Sequence, residues 1–218
     1  MLRFWVLTFL VLTMPSYNSA AGLAQYTIRT LNRNTQYNFD DEHNQFNEKE
    51  YRTAMITGHR SAKNCLPEMA KLVTMAVNLG VTNFLCGMAL GADQCAAELL
   101  IMRGLKWTAV IPCGDQDKLW KPHQRSKYRK LLKEATDQIT LYPEYSAGVM
   151  HARNLWMVKR SQICLAVLSS FAKPGGSTRS TVQMALDRNL LVYRFDPEKQ
   201  EYSMVEPLWK QLTLNLNG

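Results

Sequence analysis

Four short segments set reactive or charged side chains beside glycines, the residue that lets another group come close to the backbone. Thr57-Gly58-His59-Arg60 joins an imidazole to a guanidinium, a pairing suited to holding an anion or moving a proton. Gly87-Met88-Ala89-Leu90-Gly91-Ala92-Asp93 spaces two glycines four residues apart and follows them with a carboxylate. That carboxylate can accept from a ribose hydroxyl or a base, or it can cap a helix. Lys173-Pro174-Gly175-Gly176-Ser177-Thr178-Arg179 turns backbone N–H groups and two hydroxyls outward at a helix start, an arrangement that holds phosphate. Arg179 falls in the first helical turn, where the macrodipole disfavours a cation, and a bound anion would account for it. A plain Pro-Gly turn with a Ser/Thr cap would account for Ser177 and Thr178 equally. Pro112-Cys113-Gly114-Asp115 carries a thiol, but no motif supports a nucleophile there, and Cys113 is read as structural.

Several chemistries lose support. The Gly87–Gly91 spacing has no Lys-Ser/Thr after it, so it is not a P-loop, and it is not the GxGxxG fingerprint of dinucleotide binding. Five cysteines (Cys65, Cys86, Cys95, Cys113 and Cys164) include no CxxC pair, which points to neither a disulfide framework nor a zinc site. No metal and no resident cofactor is expected. If a base leaves a ribose here, the transition state needs a carboxylate near the sugar and an acid for the base; Asp93 and His59 are the candidates.

The four segments act together only if the fold gathers them. Thr53–Thr57, Thr82–Gly87, Trp107–Pro112, Gln138–Tyr142, Ile163–Ser169 and Leu190–Phe195 are apolar runs that read as strands. Between them, apolar residues recur at helical spacing: Leu66, Met69, Leu72, Val73, Ala76 and Val77 until Gly80, then 93–103, about 122–135, 150–161 and 177–188. Met150, Leu155 and Val158 are the expected buried side of the fourth helix. Strict alternation predicts an α/β fold with a mainly parallel sheet and helices on both faces, a three-layer α/β/α. In such a sheet ligands bind beyond the carboxyl ends of the strands, and each of the four segments follows a strand.

The chain has 218 residues and a net charge of +8, which favours anionic partners: nucleotides, nucleic acid or a membrane surface. The third helix concentrates that charge in Lys121, Arg125, Lys127, Arg129, Lys130 and Lys133, with Trp120 and Tyr128 among them. It could track single-stranded nucleic acid weakly. The simpler reading is a solvated basic face over a core stripe that includes Leu131 and Leu132. Residues 1–24 follow the plan of a signal peptide, with Arg3, an apolar run and a small-residue stretch, too short for a membrane span; a membrane-proximal anchor or a mis-assigned start are the alternatives. Residues 25–51 are a polar linker or arm, 52–197 the folded domain, and 198–218 a tail with a short helix around Trp209. A homo-oligomer is compatible with these features.

Read in order, MITGHR, GMALGADQCAAE, AVIPCGDQDKLW, MHARNLWMVKRS and KPGGSTRSTVQMAL resemble the YpsA-like branch of the SLOG superfamily, over about Arg52 to Pro197. These are Rossmann-like domains related to the DNA-processing protein DprA and to the LOG phosphoribohydrolases. The resemblance implies a pocket for a nucleotide or nucleotide-derived molecule. Gly58, His59 and Arg60 would line it from one side, Gly87, Gly91 and Asp93 from beneath, and Gly175, Gly176, Ser177 and Thr181 would hold phosphate. LOG enzymes carry a PGGxGTxxE pattern; here Thr178, Arg179 and Val182 stand where its glycine, threonine and glutamate belong. That departure favours ligand sensing over N-glycosidic hydrolysis or transfer. GMALGAD resembles the GLxxGID pattern of DprA, which binds single-stranded DNA. Members of the superfamily are mostly cytosolic, so the resemblance implies a cytoplasmic protein, with export as the alternative.

Overall fold

The structure is a computed structural model and describes residues 52–62 and 64–205. The leader, the polar arm up to residue 51 and the helix expected around Trp209 lie outside the described residues. Elements alternate as β1 Thr53–Gly58, α1 Leu66–Asn78, β2 Asn83–Cys86, α2 Ala92–Met102, β3 Trp107–Cys113 and α3 Pro122–Lys133. They continue as β4 Asp137–Tyr142, α4 Val149–Lys159, β5 Ile163–Val167, α5 Ser177–Asp187, β6 Leu191–Asp196 and β7 Glu201–Val205.

The sheet order is β4-β3-β2-β1-β5-β6-β7, with all neighbours parallel except β6 and β7. The chain lays β2, β3 and β4 outward on one side of β1, then returns to place β5 on the other. Strand order therefore reverses between β1 and β5, which is where such a sheet opens a crevice for ligand.

Period-two side-chain alternation divides the core between two faces. Ala54, Ile56, Phe84, Cys86, Trp107 and Ala109 pack under α1, α2 and α3; Met55, Leu85, Val110, Cys164 and Ala166 pack under α4 and α5. The inner strand β5, Ile-Cys-Leu-Ala-Val, is buried throughout, as a strand covered on both faces must be. At the edge, β4 leaves Asp137, Gln138 and Thr140 in solvent, which blunts the sheet against further pairing. Gly80, at φ +93°, follows α1 and turns the chain back toward β2.

Two elements depart from the expectation drawn from the sequence. On α4 only Val158 of the expected trio is fully buried; Met150 and Leu155 are half-buried, and Arg153 and Asn154 turn inward instead. The segment after Pro197 contributes β7, which lays Tyr202 on Phe195 with ring centroids 4.8 Å apart and receives Lys71 Nζ over the Tyr202 ring. No helix among the described residues is long and apolar enough to cross a membrane, and none of their His, Cys, Asp and Glu side chains cluster as a metal site would require.

Candidate functional site

Backbone and side-chain groups of the β1–α1 loop are consumed in joining β1, β5 and α2. The His59 amide donates to Val167 O at 3.2 Å, and His59 O accepts from both Ala62 and Ala92 amides at 3.2 Å. His59 Nε2 accepts from the Ser169 amide at 3.0 Å, which puts the proton of the neutral ring on Nδ1. Burial, and then the charges of Arg179 and Arg194, push the imidazole below its ordinary pKa. His59 is thus a neutral bolt across the switch point, with Nε2 already in use. Arg60, next in the chain, is exposed. Gly58 is pressed between strands and helix: a Cβ there would run into the Ala92 Cβ and lie 3.1 Å from that of Val167.

The β2–α2 loop is packed just as closely, and by protein. A Cβ on Gly87 would fall on the Arg153 guanidinium, and one on Gly91 would meet the carbonyls of His59 and Arg60. Met88 holds a left-handed backbone, φ 57°, and buries its side chain completely in the core beside the Cys86 thiol. Asp93 is 4 % exposed and its Oδ2 accepts from the Ala89 amide at 3.1 Å, closing the loop onto α2. Burial raises its pKa to about 6 against the opposing pull of Arg153, the Ala89 amide and Arg60.

Arg153 is the centre of a buried polar chain. Its Nη1 donates to Gly87 O, which also accepts from Gln116 Nε2 at 3.2 Å, and Tyr128 Oη donates to Gln116 Oε1 at 3.2 Å. In the other direction Arg153 Nε donates to Asn154 Oδ1 at 2.7 Å, Asn154 Nδ2 to Thr181 Oγ1 at 2.8 Å, and Thr181 Oγ1 to Ser177 O at 2.8 Å. The chain links α3, the β2–α2 loop, α4 and α5 beneath the strand ends. Thr181, fully buried, belongs to this floor.

Above that floor lies the first turn of α5. Gly176 is its N-cap, at φ −63° and ψ 141°, and no side chain among the described residues caps the helix. The first bond of the helix is Ser180 N to Gly176 O, so the amides of Ser177, Thr178 and Arg179 are the orphan donors of a helix start. The Ser177 side chain is exposed beside them, and Asn154 Nδ2 approaches its Oγ at 3.5 Å. A Cβ added to Gly175, at φ +76°, would stand in open space, whereas one on Gly176 would sit 3.3 Å from Lys173 O. Arg179 reaches back, Nη2 donating to Ser170 O at 3.2 Å and Ala172 O at 2.9 Å, while its Nε is a buried donor without a partner among the described residues. Carbonyl dipoles therefore offset a cation that the macrodipole alone would disfavour. The loop is tied from below by Asp196, which pairs with Arg194 at 2.6 Å and accepts from the Ser170 amide at 2.9 Å. Burial alone would raise the Asp196 carboxyl; Ser170, Arg194 and the Glu198 amide outweigh it and hold the group below its ordinary pKa.

The structure gathers His59, Arg60, Gly175, Gly176, Ser177 and Arg179 along the β1 and β5 ends, with Thr57, Gly58, Gly87, Met88, Gly91, Asp93 and Thr181 packed behind them. Arg153, Asn154, Gln116, Tyr128 and Asp196 complete the arrangement; of these the sequence singles out only Tyr128, and for the basic helix rather than for this site. Only one pair carries a usable signal: Arg153 and Asn154 lie four residues before Met157 and Val158, on the stripe that faces the sheet. The basic helix is less free than its composition suggests. Asp117 lies 3.5 Å from Arg125 Nε and 3.4 Å from Arg129 Nε, and Lys127 Nζ lies 2.8 Å from Glu98. Two shallow grooves of about 390 and 470 Å³ run along α3, the larger past Arg125, Arg129, Lys130 and Lys133, away from the β1–β5 junction.

The chain matches no family model, and a search of the curated proteins found no match. Among solved structures it is similar to DNA processing protein A (DprA) of Helicobacter pylori, a protein with a single-stranded DNA binding mode, at 15% identity and a TM-score of 0.53 over 76% of this chain and 73% of that one. It is similar to DprA of Streptococcus pneumoniae at 17% identity and a TM-score of 0.50, over 66% of this chain. The match spans half the length of the pneumococcal protein. These likenesses establish a Rossmann-like fold of the DprA type.

Proposed function

We propose that the chain is a sensing module that binds a nucleotide or nucleotide-derived phosphate ester at the β1–β5 switch point, in the manner of the YpsA-like branch of the SLOG superfamily. The observation that carries this reading is the first turn of α5. Three orphan amides and the Ser177 hydroxyl stand together at the point where strand order reverses, with an exposed Arg60 at the facing strand end. Five free, buried cysteines support action in the cytoplasm, with export the alternative.

The test is calorimetry with a panel of nucleoside monophosphates. Ser177→Asp should abolish binding, because a carboxylate at the first helical position repels phosphate. The same substitution complements the macrodipole and should leave stability unchanged or raise it by about 0.3–1 kcal/mol. Gly176→Val should also block binding by covering the amides, at some cost in the Lys173 turn. Unchanged affinity in folded Ser177→Asp protein would remove this site.

Hydrolysis or transfer at the N-glycosidic bond is the alternative, and the geometry favours it less. His59 Nε2 is taken by Ser169, Asp93 is held under the loop, and Val182 on α5 packs into the core shared with α4 and the sheet. Incubation with nucleoside monophosphates should therefore release no free base by chromatography. Release that disappears in Asp93→Asn while binding persists would make the protein an enzyme. Weak binding of single-stranded DNA is a further alternative; Lys130 and Lys133 on α3 form no ion pair among the described residues, but three neighbouring cations are already paired.

A further inference from the structure

Phe171 is 74% exposed, whereas Phe84 and Phe195 are buried, and it sits on the β5–α5 loop at the edge of the proposed site. Its backbone is held from three directions. Ser169 Oγ accepts its amide at 3.1 Å, Asp196 holds the amide of Ser170 before it, and Arg179 Nη2 bridges the carbonyls of Ser170 and Ala172 on either side. A loose hydrophobic side chain could fold against the protein; this ring stands outward on a backbone fixed by charge-assisted bonds. Arg179 belongs to the first turn of α5, so one arginine side chain spans from the orphan amides to the backbone on either side of Phe171. Lys173, two residues on, is exposed on the same loop. An aromatic face and an anion-binding helix start within one loop match two parts of a nucleotide, its base and its phosphate, and Lys173 adds positive charge for the anion.

We infer that Phe171 is the stacking platform for the base of the bound nucleotide, and so selects ligands that carry an aromatic base over other phosphate esters. This rests on the nucleotide reading of the same site. Stacking on an aromatic side chain requires a flat π face, is tolerant of base identity, and is lost with the ring. Phe171 therefore sets the ligand class, while Ser177 and the amides set its charge.

The experiment compares adenosine 5′-monophosphate with ribose 5-phosphate, by calorimetry, on the wild-type chain and on Phe171→Ala, Phe171→Leu and Phe171→Trp. An exposed side chain changes little in the fold, and thermal melting confirms that each variant is intact. Phe171→Ala should weaken adenosine monophosphate about ten-fold and leave ribose phosphate unchanged. Phe171→Leu should fail to restore affinity although it keeps apolar area, and Phe171→Trp should restore or exceed it. Equal loss for both ligands, or no loss in Phe171→Ala, overturns the stacking role while the phosphate site stands. Binding of neither ligand to the wild-type chain overturns the nucleotide reading and this role with it.

Discussion

Arg153→Ala should destabilise the fold by about 3–5 kcal/mol, the effect of removing one member of a buried charge arrangement and leaving the rest unpaired. The residue is 5% exposed. Its loss deprives Asn154 Oδ1 of a donor, removes one of two donors from Gly87 O, and takes away the positive charge that most favours ionisation of the buried Asp93. Urea unfolding at neutral pH measures the deficit, and the pH dependence identifies its source. Asp93 is raised from 3.8 to about 6 in the fold, so the folded state binds its proton more tightly than the unfolded chain does. That contribution to stability is fully present below the unfolded value and is lost as pH rises through about 6. Without Arg153 the carboxyl rises further, so the loss extends to higher pH and the variant should recover part of its deficit on acidification. Adding Asp93→Asn to Arg153→Ala should restore part of the loss at neutral pH, since an amide can still accept from the Ala89 amide without a charge. A deficit below about 1 kcal/mol, or one independent of pH, would show that the charge of Arg153 does not organise the loop.

The same residue shows what the sequence makes legible. Alternating apolar runs and helical stripes reveal six strands and five helices because each depends on a local period, and the position of ligand-facing segments after strands follows from that alternation. Arg153 and Asn154 resist that reading because two polar residues on an apolar stripe look like an interruption until the neighbouring loop supplies Gly87 O and Thr181 supplies its hydroxyl. The strand β7 is missed for a related reason. All five of its residues are half-buried, without alternation, and its pairing depends on Tyr202 meeting Phe195 across a turn that passes through a left-handed Gln200. The glycines are the instructive case. Their types announce a close approach at positions 58, 87 and 91, but type alone does not say what approaches, and in this fold it is α2, Arg153 and the β1–α1 loop. At 175 an added carbon would meet nothing within 4 Å and at 176 only Lys173 O at 3.3 Å, so the turn at 175 alone leaves open space for a ligand.

That contrast gives the largest expected effect. Gly91→Ala should leave no folded protein, or cost more than about 4 kcal/mol by urea unfolding, for two reasons that add. Its backbone, φ +86° and ψ −123°, lies in the mirror-β region that glycine alone occupies at little cost. The new Cβ would also meet the carbonyls of His59 and Arg60. Those carbonyls cannot step aside cheaply, because His59 O already accepts from Ala62 and Ala92 and the His59 ring is fixed by Ser169. Moving them would part β1 from α2 and β5 together. Gly175→Ala serves as the control: it has a positive φ of +76° but nothing within 4 Å of the added carbon. Backbone strain alone should cost it about 1–2 kcal/mol. If the two variants lose similar stability, strain accounts for both and the packing of Gly91 against the β1–α1 loop contributes nothing. A large excess in Gly91→Ala reflects that contact together with its costlier mirror-β backbone, and makes the glycine after β2 a joint of the fold rather than an opening for the ligand.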